Sequence, residues 1–314
     1  MRKVLLGIDI GGTSIKAGLF TEELVLLKRF CTAVCREDQP RVPINKLLKW
    51  IKEKETDDEV ALLSAAAGIP GILDQEKGML SLAANLPLWV GFPIRDYFKE
   101  RLGVAVSIGN DGNMAALGEY HCGSGKDMVT MVMLTLGTGV GGAIIDHGRL
   151  LEYNNFSGEI GHMIIDMHGA ECHCGRRGCL ETMAAKSGMM RLLGEELKTS
   201  PHNKEEYANL SKVSPLRLSQ LAASGDPIAM EVYRKSGEAV GIGIGNVMNI
   251  LRLDGAVIGG GIAGAWEGFF KAIEEALAKT AFDYNPERIR IKKASLGEHA
   301  GLYGAAVAAK QLMD

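Results

Sequence analysis

Twice in this chain an apolar run reaches a turn of small residues and a second apolar run follows. The segments are KVLLGIDI-GGTS-IKAGLF over residues 3–20 and MVTMVMLTL-GTG-VGGAII over 128–145. Aliphatic runs of this length, broken only by Gly, Thr and Ser, read as hairpins of buried strands. One opens each half of the chain, so the pattern predicts two domains of similar architecture without similar residues. The length of 314 residues agrees, being too long for one small core.

Between and after the hairpins, strands alternate with helices. Ile44, Leu47, Leu48 and Ile51 share a face of a helix over 43–55; a strand follows at 60–68, then a turn at Pro70-Gly71. Another strand at 104–111 runs into a helix from about 112 to 120. Later helices fit 181–194, 226–252, 265–279 and about 300–313, and a short strand at 255–258 leads into Gly259-Gly260-Gly261. This alternation predicts an α/β fold. The boundaries expected are 1–114 plus 300–314 for a small domain and 115–299 for a large one.

Charge and composition exclude several classes. The net charge is −3 with no sustained basic run, which argues against nucleic acid as the main partner. No stretch approaches the roughly 18 uninterrupted apolar residues of a membrane span. The first apolar run is broken by Asp9 and Gly11-Gly12 and has no small-residue cleavage site, unlike a signal peptide. The expected location is cytoplasmic, where six cysteines are free thiols or metal ligands rather than disulfides. The 40 glycines gather in short clusters beside apolar runs, where bare backbone can approach a ligand closely.

Three of those clusters sit at strand ends. Asp9-Ile10-Gly11-Gly12-Thr13 sets a carboxylate just before a turn whose N–H groups can face phosphate oxygens, and a nearby Asp can hold a metal ion through water. Leu136-Gly137-Thr138-Gly139 and Gly259-Gly260-Gly261 repeat the device. There is no Gly-x-x-x-x-Gly-Lys-Ser/Thr, and no G-x-G-x-x-G at a strand-to-helix junction, so neither a P-loop nor a dinucleotide site is expected. Each cluster alone reads as a turn; the three together point to a nucleotide.

The least regular region, 146–180, carries the most reactive side chains. Cys172, Cys174 and Cys179 lie within eight residues, with His162 ten before the first. Three thiolates and an imidazole complete the tetrahedral shell of a structural zinc, with Gly175 and Gly178 letting the loop fold around the ion. His168 and His173 are rival fourth ligands. Glu159 and Glu181 bracket the cluster and read either as sugar-hydroxyl acceptors held by a metal-tied loop or as solvated surface charges. Asp111, after Asn110 at a strand end, reads equally as a general base for phosphoryl transfer and as a helix cap.

Together these segments resemble the ROK family of repressors, open reading frames and kinases. The resemblance covers nearly the whole chain. Its most specific part is Gly158-Glu159-Ile160-Gly161-His162 followed by Cys172-x-Cys174-Gly175-x-x-Gly178-Cys179-Leu180-Glu181. Asp9-x-Gly11-Gly12-Thr13, Pro70-Gly71, Asn85-Leu86 with Trp89, Asn110-Asp111, Leu136-Gly137-Thr138-Gly139 and Gly259-Gly260-Gly261 also match.

The resemblance implies a ribonuclease H-like fold, that of actin, Hsp70 and hexokinase, with ATP and sugar in a cleft between two α/β domains. It implies Asp111 as catalytic base, and Asn85, Asn110, Glu159, His162 and Glu181 as sugar ligands. His162, Cys172, Cys174 and Cys179 would hold a structural zinc. Asp9, Gly11, Gly12, Thr13, Lys16, Gly137, Thr138, Gly139, Gly260 and Gly261 would bind ATP and its magnesium. The implied activity is phosphorylation of a hexose, glucose to glucose 6-phosphate, by a homodimer or homotetramer. N-acetylmannosamine and N-acetylglucosamine are alternative acceptors. A sugar-sensing repressor, the family's other branch, carries a DNA-binding segment ahead of a first strand that here begins at about residue 3; a catalytically dead sugar-binding protein is opposed by Asp9, Asp111 and Gly137-Thr138-Gly139. One departure is Glu152 or Tyr153 where members carry a glycine beside the sugar, which bears on which sugar is taken.

Overall fold

Both expected hairpins form in a computed structural model of the chain, which describes residues 1–57, 59–83, 85–152, 158–200, 207, 213–263 and 267–313. The first elements are β1 (Arg2–Ile10), β2 (Ser14–Phe20), β3 (Leu26–Ala33), α1 (Arg41–Asp57), β4 (Val60–Ile69), β5 (Ile72–Asp74), β6 (Met79–Leu82), α2 (Ile94–Leu102), β7 (Ala105–Asn110) and α3 (Asp111–Cys122). Then come β8 (Thr130–Leu136), β9 (Val140–Asp146), β10 (Arg149–Leu150), α4 (Glu181–Ala184), α5 (Lys186–Thr199), α6 (Pro215–Ala223), α7 (Pro227–Met248), β11 (Gly255–Gly259), α8 (Glu267–Thr280), β12 (Arg290–Lys293) and α9 (Ala300–Gln311). No helix among the described residues is long and apolar enough to cross a membrane.

Contacts divide the chain into two units: Met1–Lys126 with Gly148–Phe156 and Ser295–Asp314, and Asp127–His147 with Ser157–Ala294. The whole of α3 falls in the first unit, where the sequence expectation divided it after residue 114. The reason is its tight packing on α9. A Cβ at Gly118 would fall 2.2 Å from the Ala300 carbonyl oxygen, and one at Gly304 would fall 1.6 Å from that of Met114. Side chains there would force the two helices apart.

In the first unit the sheet order is β3-β2-β1-β4-β7. β1, β2 and β3 pair antiparallel, while β1, β4 and β7 run parallel. Ile8, Ile10, Ile15 and Leu19 from the hairpin join Ile44, Leu47 and Ile51 of α1, Trp89 and Phe98 in one core. These three positions of α1, at spacing three and four, are buried together with Pro43, as the periodicity requires.

In the second unit β9-β8-β11-β12 repeats the plan, with an antiparallel hairpin followed by parallel strands. Leu134, Leu136, Met189, Tyr233, Ile244, Ile258, Phe269 and Ile273 belong to its core. Here glycine has a use other than ligand approach. Gly237, Gly241 and Gly245 recur every four residues along α7, and Cβ atoms on them would meet Phe269 O at 2.6 Å, Ile273 O at 2.5 Å and Thr280 Oγ1 at 2.4 Å. That stripe lets α8 lie directly on α7.

The helix expected at 181–194 is two helices. Ala185 is extended (φ −81°, ψ 166°), and the Lys186 N–H leaves the helical ladder to donate to Gly137 O at 2.9 Å. The break therefore supports the glycine turn of the second hairpin.

Candidate active site

Residues singled out from sequence gather in two groups, one within each unit. In the first, register does the gathering. Asp9 pairs with Gly68 and Gly68 with Gly109, so the parallel strands β1, β4 and β7 end at one sheet edge and carry Asp9, Asn110 and Asp111 there. Carboxyl ends of parallel strands are where open α/β sheets bind ligands. The Gly11-Gly12-Thr13 turn is closed by the Gly11 N–H donating to Ser14 O at 2.8 Å. Asn85 lies against it, its Cβ 2.9 Å from where a Cβ on Gly12 would stand. Lys16 opposes Asp9 across the hairpin, and its ammonium reaches the exposed Glu298 carboxylate at 2.8 Å.

Asn110 and Asp111 have separate jobs. Asn110 is the N-cap of α3: its Oδ1 accepts from the N–H groups of Gly112 (2.9 Å) and Asn113 (3.3 Å), and its Nδ2 donates to Gly71 O at 3.2 Å. Asp111 is the first helical residue, and its Oδ1 accepts from Gly112 N–H at 2.9 Å. Burial raises the Asp111 carboxyl above the usual range. Asp9 is pushed up to about 6, chiefly by burial and further by the charge of Asp111, against the opposing pull of Lys16.

A raised carboxyl costs stability once it ionises. Below about pH 3 Asp9 is protonated in both the folded and unfolded states and has almost no effect. As pH rises toward 6 the folded state holds the extra proton, and stability falls until Asp9 is charged in both. Asp9→Asn should therefore stabilise the metal-free protein by at most about 3 kcal/mol at pH 7–8 and by almost nothing at about pH 3. Denaturant unfolding at the two pH values measures it; an equal gain at both would separate the effect from ionisation.

Gly301, missed in the sequence, makes room for that carboxylate: a Cβ there would lie 3.1 Å from Asp9 Oδ1. The only local signal is the small pair Ala300-Gly301 at a helix start.

In the second unit the turn Gly137-Thr138-Gly139 closes with Gly137 N–H donating to Gly139 O at 3.0 Å. Gly259 pairs with Thr135, so the third glycine cluster emerges beside this turn. Its glycines differ. Gly260 has φ +88°, and a Cβ would fall 2.2 Å from Leu136 O, so it is bound to the fold itself. A Cβ on Gly261 would meet nothing within 4 Å.

Glu181, at the start of α4, connects the turn to the cysteine loop. Its Oε2 accepts from Val140 N–H at 3.1 Å, and its Oε1 lies 3.6 Å from Cys172 Sγ. The loop is a knuckle held by Cys172 N–H to Arg176 O, Gly175 N–H to Cys172 O and Ile165 N–H to Gly178 O. Only glycine suits position 178, with φ +70° and a would-be Cβ 1.5 Å from Asp166 O.

The knuckle brings one nitrogen of His162 and the sulfurs of Cys172, Cys174 and Cys179 within 4.8 Å of one another. Among the described residues His168 and His173 are not in this group. A tetrahedral zinc with ordinary bond lengths needs S···S near about 3.8 Å and S···N near about 3.6 Å. Cys174 and Cys179 are 3.6 Å apart, and Cys172 Sγ is 3.7 Å from His162 Nδ1. The donor set fits such an ion. Burial pushes the Cys179 thiol up to about 12, while the Arg176 backbone N–H holds Cys174 down at about 7. Three adjacent thiolates need a cation to neutralise them. His162 Nε2 is left on the other side of the ring, 4.0 Å from the exposed Glu159 carboxylate. Glu152 is exposed; Tyr153 lies outside the described residues.

The sequence profile of the ROK family matches residues 5–312. The chain belongs to the ROK family. Among relatives of this ROK protein, a glucokinase of Thermotoga maritima is 31% identical over 311 residues, 98% of this chain and 97% of the other. Among solved structures, a ROK hexokinase from Thermus thermophilus superimposes with a TM-score of 0.84 at 31% identity, covering 99% of each chain. A ROK family glucokinase from Streptomyces griseus in complex with glucose and AMPPNP gives 0.76 at 27% identity, covering 98% of this chain and 99% of that one. The fold is accordingly that of actin and hexokinase.

Proposed function

We propose that this ROK protein is an ATP-dependent hexose kinase, with glucose as acceptor and O6 as the attacking oxygen. That it is a sugar kinase rests on full-length similarity to glucokinases together with one feature of its own. Asp111 is a half-buried carboxylate released from capping duty by Asn110 and set at the strand ends beside Asp9.

In this reading the Asp111 carboxylate accepts the hydroxyl proton as the sugar oxygen bonds to the γ-phosphorus, the β,γ-bridging P–O bond breaks, and ADP leaves. Burial makes Asp111 a stronger base than an ordinary carboxylate. Magnesium, when bound with ATP, would neutralise charge on the β- and γ-phosphate oxygens; Asp9 is the residue to hold it through water. The Gly12-Thr13 and Thr138-Gly139 backbones, Lys16 and Gly261 would face nucleotide. Asn85, the remaining Nδ2 hydrogen of Asn110, Glu159, His162 Nε2 and Glu181 would take sugar hydroxyls. A zinc held by His162, Cys172, Cys174 and Cys179 has no open position, so its part is to order the loop.

The test is ADP formation by the purified protein with ATP, magnesium and a panel of hexoses and N-acetylhexosamines. Glucose should give the highest kcat/KM; no ADP with any sugar would overturn the kinase reading, and preference for an N-acetylhexosamine would overturn the acceptor alone. Gly261→Val, adding bulk where the fold leaves open space, should raise the KM for ATP with little change for sugar. Gly260→Val is a poor test, because its clash with Leu136 would disturb the sheet first.

A further inference from the structure

Glu119 is fully buried, yet no step above uses it. It lies two turns down α3 from Asp111, and its carboxylate is enclosed by donors from Ser124 just past the helix end and from the distant stretch Ser295-Leu296. Oε2 accepts from Ser124 N–H at 2.9 Å, Ser295 N–H at 3.1 Å and Ser295 Oγ at 3.3 Å; Oε1 accepts from Leu296 N–H at 2.7 Å. The site is built for a carboxylate. Gly123 leaves room for it, since a Cβ there would fall 2.1 Å from Glu119 Oε2.

The clamped segment has consequences for residues that follow it. Leu296 leads through Glu298, whose carboxylate holds Lys16 at 2.8 Å, into the first turn of α9, where Gly301 lies against the Asp9 carboxylate. The chain enters that turn directly from the stretch that Glu119 grips. We propose that Glu119 is a positioning residue for nucleotide: by fixing Ser295 and Leu296 to α3 it sets the first turn of α9, and through it Asp9 and Lys16, in their ligand-binding placement. This rests on the reading of Asp9 and Lys16 as nucleotide residues.

Glu119→Gln keeps the shape of the side chain but turns an NH2 group toward backbone donors, whichever way the amide faces. Calorimetric titration with AMPPNP and magnesium should show affinity about tenfold weaker or more, the scale expected when binding groups shift by a fraction of an ångström. In steady state the KM for ATP should rise while the KM for sugar holds. Glu119→Asp, which keeps the charge but shortens the reach, should fall between, and serves if the Gln variant does not fold. The control is a core truncation in α1, Ile44→Val or Leu47→Ala, whichever matches the loss of thermal stability. If that control weakens AMPPNP binding equally, or if both Glu119 variants bind within about twofold of the parent, the proposal is overturned. If the parent protein does not bind AMPPNP at all, the nucleotide reading falls and this inference with it.

Discussion

Asp111→Asn should lower turnover by about two to four orders of magnitude while sugar affinity changes little. Two observations make this sharper than the sequence allowed. Asn110 carries the helix cap, so loss of the Asp111 charge leaves the first turn of α3 intact. The bond that Asp111 Oδ1 accepts from Gly112 N–H is kept by the Oδ1 of an asparagine. Burial also disfavours the Asp111 charge, so its removal should not destabilise the fold at neutral pH. Activity and stability should therefore separate, with collapsed kcat beside an unchanged or slightly raised melting temperature. In the parent, the acid limb of kcat/KM should lie above the ordinary carboxylate range. A variant that keeps a tenth of parental turnover would move the base elsewhere.

Removal of the metal should have the other large effect, and it should spread further than the loop. Elemental analysis is expected to give about one zinc per chain, lowered in Cys172→Ser, Cys174→Ser and Cys179→Ser. Metal-free protein should melt about 5–10 °C lower, as ligands that hold a knuckle together lose their common partner. Sugar affinity should fall about tenfold or more, because Glu159, His162 and Glu181 take their positions from that knuckle. Glu181 extends the effect. One of its oxygens lies at Cys172 Sγ and the other holds Val140 N–H at the end of the Gly137-Thr138-Gly139 turn, so the KM for ATP should rise as well. His162→Ala should be worst, since Nδ1 lies in the Cys/His group and Nε2 is the nitrogen proposed for sugar. Pure active protein without zinc, or cysteine variants with normal metal content and sugar binding, would remove the cluster from the mechanism.

Much of this was readable in the residues. The two hairpins, α1 with its buried stripe and the alternation of strands and helices follow from periodicity, which is local. β3, α2, α6 and β12 were not picked out. β3 is an edge strand with Lys28 and Arg29 exposed, so it lacks the clean alternation of a strand buried on one face. Some glycines have roles that the sequence did not single out. Gly237, Gly241 and Gly245 form a helix-packing stripe, and Gly260 is tied to Leu136, whereas a Cβ on Gly261 would meet nothing within 4 Å.

The sequence by itself determined the α/β class, the family, and which residue types gather in 158–181, because those depend on spacing along the chain. Spacing alone did not choose His162 over His168 and His173, and the resemblance did; which ring joins the cysteines depends on where the knuckle points it. Nor could it say which of Asn110 and Asp111 caps α3, because both types cap helices equally well. The bend at Ala185 was hidden because the partner of the Lys186 N–H is a carbonyl 49 residues earlier, at Gly137. Glu119 was hidden for the same reason: its partners at Ser295 and Leu296 are 176 and 177 residues away. What only the tertiary structure decided is, in each case, which of several chemically equivalent groups meets a partner that is distant along the chain.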